Sequence, residues 1–148
     1  MAVIKLFVSL KIPDTTAITA FHTLRRMGYH SLEKLDREEY YEFDVADNPD
    51  KFMKEIVKVD ILVNANKHSA KICKTDEEYT NVLVTDSRDN SSKLLSTLRE
   101  RMGFGSISSM SKGVLWKMCI AARNRKEIAE KITKELLYNE HYQKYKIL

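Results

Sequence analysis

The chain has 148 residues, 43% hydrophobic and 31% charged, enough for one ordinary domain or two very small ones and too apolar for a disordered tail. Its 25 Lys and Arg against 21 Asp and Glu leave a net charge of +4, too weak a surplus to mark a nucleic-acid binder. No apolar run approaches the ~20 residues of a membrane-spanning helix, and four Gly and two Pro leave little for phosphate-cradling loops.

Met1-Ala2-Val3-Ile4-Lys5 lacks the layout of a signal peptide and opens directly into a strand, Val3 to Leu10, rich in β-branched and apolar residues. Pro13-Asp14-Thr15 ends that strand and supplies helix-cap residues. Ile18, Phe21, Leu24 and Met27 recur at helical spacing, with Gly28 where a helix stops. A short strand near Ser31 to Leu35 leads to a longer one, Tyr40 to Ala46. Asn48-Pro49-Asp50 joins an N-cap, a first-turn proline and an acid that suits the helix dipole. Phe52, Met53, Ile56 and Val57 form the inner face of this second helix, and His68 to Cys73 reads as a strand.

The plan then recurs. Tyr79 to Thr85 is a strand; Leu94, Leu95, Leu98 and Met102 mark a helix ending at Gly103. Ser106 to Met110 and Val114 to Ala121 read as two strands with Gly113 at the turn. Asn124 followed by Glu127 has capping-box spacing; Ile128, Ile132 and Leu136 continue a helix, and Tyr142 to Leu148 is a last strand.

The recurrence extends to residues. Thr23-Leu24-Arg25 and Met27-Gly28-Tyr29 reappear as Thr97-Leu98-Arg99 and Met102-Gly103-Phe104; Leu62-Val63-Asn64 reappears as Leu137-Tyr138-Asn139. Such self-similarity predicts two tandem copies, 1–74 and 77–148, joined near Lys74 to Glu78. Each spells β-α-β-β-α-β, so the predicted fold is α+β: two ferredoxin-like domains with antiparallel sheets, helices on one face, paired about a pseudo-twofold axis within the chain. Tyr41, Phe43, Val45 and Trp116, Met118, Ile120 belong under the helices; Phe7, Tyr40, Glu42, Asp44, Leu115, Lys117 and Cys119 lie on the opposite, half-apolar face. Glu42 and Lys117 stand at equivalent positions with opposite charge, which favours pairing of unlike copies.

No active site is visible. His22, His30, His68 and His141 lack metal-ligand spacing, and neither Cys73 nor Cys119 has a Cys or His close by. Two such cysteines fit a reduced, cytoplasmic setting. Asp36, Glu38 and Glu39 in a turn, and Asp76, Glu77 and Glu78 in the joint, read as solvated. Ser91-Ser92 and Ser108-Ser109 have no base implied nearby, and Gly103-Phe104-Gly105 reads as a turn. No catalytic, cofactor-binding or metal-ligating residue is assigned, and no cofactor. Lys112-Gly113-Val114-Leu115-Trp116-Lys117-Met118-Cys119 keeps the Lys-Gly of an RNA-binding strand but lacks the stacking aromatics, and Arg25, Arg26, Arg99 and Arg101 suit helix C-termini.

Several segments together resemble the small subunit (PurS family) of phosphoribosylformylglycinamidine (FGAM) synthase: Phe7-Val8-Ser9-Leu10-Lys11, Leu24 to Tyr29 with Leu32, Tyr40-Tyr41-Glu42-Phe43-Asp44-Val45, and the closing runs Leu62-Val63-Asn64 and Leu136-Leu137-Tyr138-Asn139 followed by Tyr145-Lys146-Ile147. Lys112-Gly113-Val114-Leu115 resembles the strand that often begins with a Gly-Lys pair. The family's segment ahead of the first helix is missing: Pro13-Asp14-Thr15-Thr16 and Ser87-Arg88-Asp89-Asn90 stand there, and Glu38-Glu39 replaces the Gly-Lys pair of the first copy. The resemblance implies a subunit without chemistry of its own, which bridges the synthetase and glutaminase subunits in purine biosynthesis; a fused pair would supply from one chain the dimer that the family uses. Further homodimers are compatible with it, and a membrane partner is not implied. The alternative is a tandem ACT-like module binding a small effector, with Val82 to Asn90 as its strand and loop, although neither copy has the usual Gly there.

Overall fold

A computed structural model describes residues 2–64, 67–72, 79–86 and 92–148. The elements are β1 (Ala2–Leu10), α1 (Thr15–Arg26), β2 (Leu32–Val45), α2 (Pro49–Ile56), β3 (His68–Ile72), β4 (Thr80–Asp86), α3 (Ser92–Glu100), β5 (Ile107–Ile120), α4 (Arg125–Ile132) and β6 (Gln143–Ile147). The order β-α-β-α-β thus occurs twice, one strand fewer in each half than the expected β-α-β-β-α-β, and the mixed α+β arrangement is compatible with ferredoxin-like folds. The six strands form one antiparallel sheet, ordered β3-β1-β2-β5-β4-β6. Among the described residues no helix is long and apolar enough to cross a membrane.

Two of the expected interruptions do not exist. Residues 32–45 form a single strand, and so do residues 107–120. Gly113 is no turn residue: it sits mid-strand opposite Thr85, where an added Cβ would lie 2.6 Å from the Val84 carbonyl oxygen. The glycine allows close approach of two backbones and leaves the strand unbroken. The true turn glycines are Gly28 and Gly103, with φ of 106° and 79° after α1 and α3.

Local chemistry explains the helix starts unevenly. Asp14 caps α1, its Oδ1 accepting the Thr16 and Ala17 amides at 3.0 and 3.3 Å, while its Oδ2 meets Arg37 Nε at 3.0 Å. The capping box expected at Asn124 is absent: its backbone (φ −91°, ψ 44°) leaves the extended region that a capping side chain needs, and it makes no side-chain cap bond. Asn48, in the left-handed region, makes none either; Pro49 at the first turn still fixes the helix start.

The chain divides into two compact units. One holds β1, β2 from Glu39 on, α2, β3, α3 and β5 up to Lys112; the other holds α1, β2 up to Glu38, β4, β5 from Gly113 on, α4 and β6. Each unit therefore takes its elements from both sequence halves, 1–74 and 77–148. The expected joint, residues 74–78, lies outside the described residues.

In the first unit, Ile4, Leu6, Val8, Tyr41, Phe43 and Val45 form the sheet side of the core, with Phe52 and Ile56 of α2 above them. Leu98 of α3, together with Phe104 and Ile107, completes it. Phe52 bridges the two contributions, its ring 5.2 Å from Phe43 and 5.6 Å from Phe104, both edge-on. In the second unit, Val82, Val84, Trp116, Met118 and Ile120 receive Ala129 and Ile132 of α4 and Ala17 and Leu24 of α1. The first helix of each sequence half lies in the core built on the other half's strands.

Two helix faces differ from the periodicity. On α1 the buried stripe is Ala17, Ala20, Phe21 and Leu24, while Ile18 and Met27 are exposed. The two stripes share Phe21 and Leu24, and the observed one takes Ala17 and Ala20 in place of Ile18 and Met27, the small alanines permitting closer packing. After α4, residues Thr133–Leu137 make a π-turn, and its extra residue turns Leu136 outward and Leu137 inward.

Candidate functional site

Glu38, Asn81 and Lys117, three of the buried polar residues, lie on the sheet face opposite the helices. Phe7, Tyr40 and Leu115 are buried on this parity, and Phe7 and Tyr40 pair across β1 and β2 with ring centroids 5.5 Å apart. Glu38 does not lie in a solvated turn. It is a β2 residue only 6% exposed, and its Oε1 is 3.6 Å from Nζ of Lys117 on the neighbouring strand β5, itself 9% exposed. That Nζ also sits 4.7 Å from the ring centre of Tyr79. An opposite charge and an aromatic face thus stand in for some of the water that both groups give up. Periodicity held the missed signal: Glu38 shares the parity of Tyr40 in a continuous strand.

Glu42, the expected counterpart of Lys117, accepts the Tyr40 hydroxyl at 2.8 Å, and Glu39 accepts that of Tyr41 at 2.9 Å. Burial, then the charge and hydrogen bond of Glu39, raise the Tyr41 phenol well above its ordinary range.

The remaining chemistry-bearing residues stay apart. His22 packs edge-on against Phe21, the His68 Nδ1 accepts the Asn64 amide at 3.0 Å, and His30 and His141 are exposed. Arg25 reaches back to the carbonyls of His30 and Leu32 at 3.2 and 2.9 Å, the C-terminal role its position predicts. Ser108 and Ser109 donate to the Asp44 carbonyl and carboxylate, with no histidine between. Cys119 Sγ lies 3.9 Å from Glu33 Oε2. Cys73, Asp76, Glu77, Glu78 and Ser91 lie outside the described residues. Among the described residues, no three His, Cys, Asp or Glu side chains are grouped as metal ligands would be.

Helix α1 is flanked by two open cavities in the second unit. One, about 480 Å³, is lined by Thr15, Thr16, Thr19, Thr23, Trp116 and Leu137 among others. The other, about 290 Å³, holds His22, Glu33 and Asp36 in its lining, but no hydrogen bond or ion pair joins the histidine to either acid. Beside α1, the Tyr29 hydroxyl donates to Glu135 at 2.6 Å. Burial first, then that carboxylate, push the Tyr29 phenol up to about 12. On α4, the Tyr145 hydroxyl and Lys134 both hold Glu130, whose pKa is lowered chiefly by the tyrosine hydrogen bond.

These surfaces present hydroxyl, aromatic and aliphatic side chains. None juxtaposes a nucleophile with a base. Compared with protein-family models and with curated proteins, the chain matches none.

Proposed function

We propose that the chain is a tandem duplication of a PurS-like ferredoxin-like unit, its copies paired within one polypeptide, and that it serves as a non-catalytic bridging subunit between the synthetase and glutaminase of FGAM synthase. The observation that carries the duplication is a matched pair of hydrogen bonds. The Ala46 amide donates to the Ser106 carbonyl at 2.8 Å, and the Ala121 amide donates to the Ser31 carbonyl at 2.8 Å. The sequence shift of 75 that aligns the halves carries one bond onto the other with identical residues at both donor and acceptor. The same shift carries β2 onto β5.

Duplication favours a function of the paired form. A copy of roughly 73 residues buries a modest share of its surface and is marginal alone. Fusion holds the pair at an effective concentration of about millimolar and lowers the entropic cost of association. The family assignment rests on the sequence resemblance, which includes the helix-to-strand runs Leu62-Val63-Asn64 and Leu136-Leu137-Tyr138-Asn139.

The test is a pull-down or sedimentation run of the intact chain against the synthetase and glutaminase of the same organism. Co-sedimentation is expected. With ATP, glutamine and formylglycinamide ribonucleotide supplied singly or together, the purified chain is expected to turn over nothing. Absence of binding, with a melting temperature raised by a small amino acid or nucleotide, would replace this reading with the ACT-like effector module.

A further inference from the structure

We propose that the Glu38–Lys117 pair is a partner-selecting lock, which commits β2 to β5 of its own chain and disfavours pairing with the like strand of a second copy. The inference rests on the duplication reading above. Under the shift of 75, Glu38 corresponds to Gly113 and Lys117 corresponds to Glu42. The ion pair is consequently available only when the unlike strands meet. If β2 paired with β2 of another molecule, Glu38 would approach Glu42, setting two carboxylates together in a place largely closed to water. If β5 paired with β5, Lys117 would approach Gly113 and lose its contact with Glu38.

Position 113 cannot easily acquire the missing acid. Any side chain there would begin 2.6 Å from the Val84 carbonyl oxygen. The glycine and the lysine of β5 are thus a matched set, complementary to Glu38 and not to themselves. Polar groups buried at a cost to stability can specify pairing in this way, as single buried asparagines do in coiled coils. A chain with two similar copies faces a particular hazard, since refolding at high concentration can exchange equivalent elements between molecules.

The experiment uses the full-length chain and two double variants, Glu38→Leu with Lys117→Met and Glu38→Lys with Lys117→Glu. Each is purified natively, then unfolded in urea and refolded at high protein concentration, with species resolved by sedimentation velocity. Wild type is expected to give the same species before and after refolding. The apolar variant, of similar side-chain volume, is expected to fold but to yield at least tenfold more slowly exchanging oligomer after refolding. The charge-swapped variant keeps an ion pair between unlike strands but is also expected to yield oligomer, since a lysine at position 38 would meet Glu42 in a β2–β2 pair. An apolar variant that refolds as cleanly as wild type would overturn the proposal, leaving the pair a structural contact only. So would a charge-swapped variant that refolds as cleanly as wild type. Failure of the synthetase to bind the intact wild-type chain bears on the bridging role and leaves these outcomes unchanged.

Discussion

Leu24 and Leu98 hold the same place in the two sequence halves, each following a threonine and preceding an arginine; both are fully buried, yet they lie in different cores. Leu24 packs with Val82, Val84 and Met118 of the second half, Leu98 with Leu6, Val8 and Phe43 of the first. Each half of the sequence therefore completes the other's interior.

Truncation of either leucine follows directly. Leu24→Ala and Leu98→Ala should each cost about 2–5 kcal/mol, the range for a buried leucine whose cavity only partly collapses. Urea unfolding of the two variants checks this, and a loss below half a kcal/mol for either would remove that helix from its core.

Separated halves should fail for the same reason. Expressed alone, 1–74 or 77–148 carries the strands of one core and the first helix of the other, so neither should unfold cooperatively by far-ultraviolet circular dichroism. Co-expressed, they should copurify on a tag carried by one. A cooperative melt from 1–74 alone would contradict the exchange.

Ile132 is a sharper probe of α4. It is fully buried, and Ile132→Asp places a carboxylate where no cation awaits it, at a cost of several kcal/mol. A melting temperature equal to that of wild type would refute the placement of this helix.

Two glycines should respond differently. Gly113→Ala must displace backbone at the Val84 carbonyl and should cost about 1–3 kcal/mol, the usual range for overpacking. Gly105→Ala meets nothing within 4 Å and has no positive φ, so its stability should stay close to wild type. Chemical denaturation of both in parallel decides the matter.

The Tyr29–Glu135 hydrogen bond makes a pH prediction. The folded phenol is held up to about 12 from an ordinary 10.0, so the folded state retains a proton that the unfolded chain has lost. The contribution to stability is complete below pH 10 and disappears as pH rises from 10 through about 12. Ultraviolet phenolate titration of wild type against Glu135→Gln should show one tyrosine titrating earlier in the variant; identical curves would count against the bond.

Much of the secondary structure was legible because it rests on local chemistry. The apolar alternation of β1, the Asp14 cap and the glycines after α1 and α3 all act within a few residues. What those signals do not carry is the identity of the surface being met. A stripe of Ala17 and Leu24 says that a helix is buried, not on whose strands. Gly113 failed as a turn marker because the same residue serves a close backbone approach, and that approach depends on β4, some thirty positions earlier. Glu38 failed because a carboxylate reads as solvated until Lys117 is brought beside it by strand pairing. The π-turn after α4 left no periodic trace either, since one extra residue in the ladder shifts only Leu136 and Leu137.

The exchanged helices also set a timetable for the ribosome. Translation proceeds at about 5–20 residues per second, so the stretch from Ile72 to Ile107 takes roughly 2 to 7 seconds to synthesise. During that interval β1 and β2 have been made, but Leu98, Phe104 and Ile107, which cover Ile4, Leu6 and Phe43, have not. Helix α1 waits longer still, for Met118 and then Ile132. The nascent chain carries an unsealed apolar sheet through this period, a substrate for holdase chaperones, and slower decoding of codons 73–107 would lengthen its exposure.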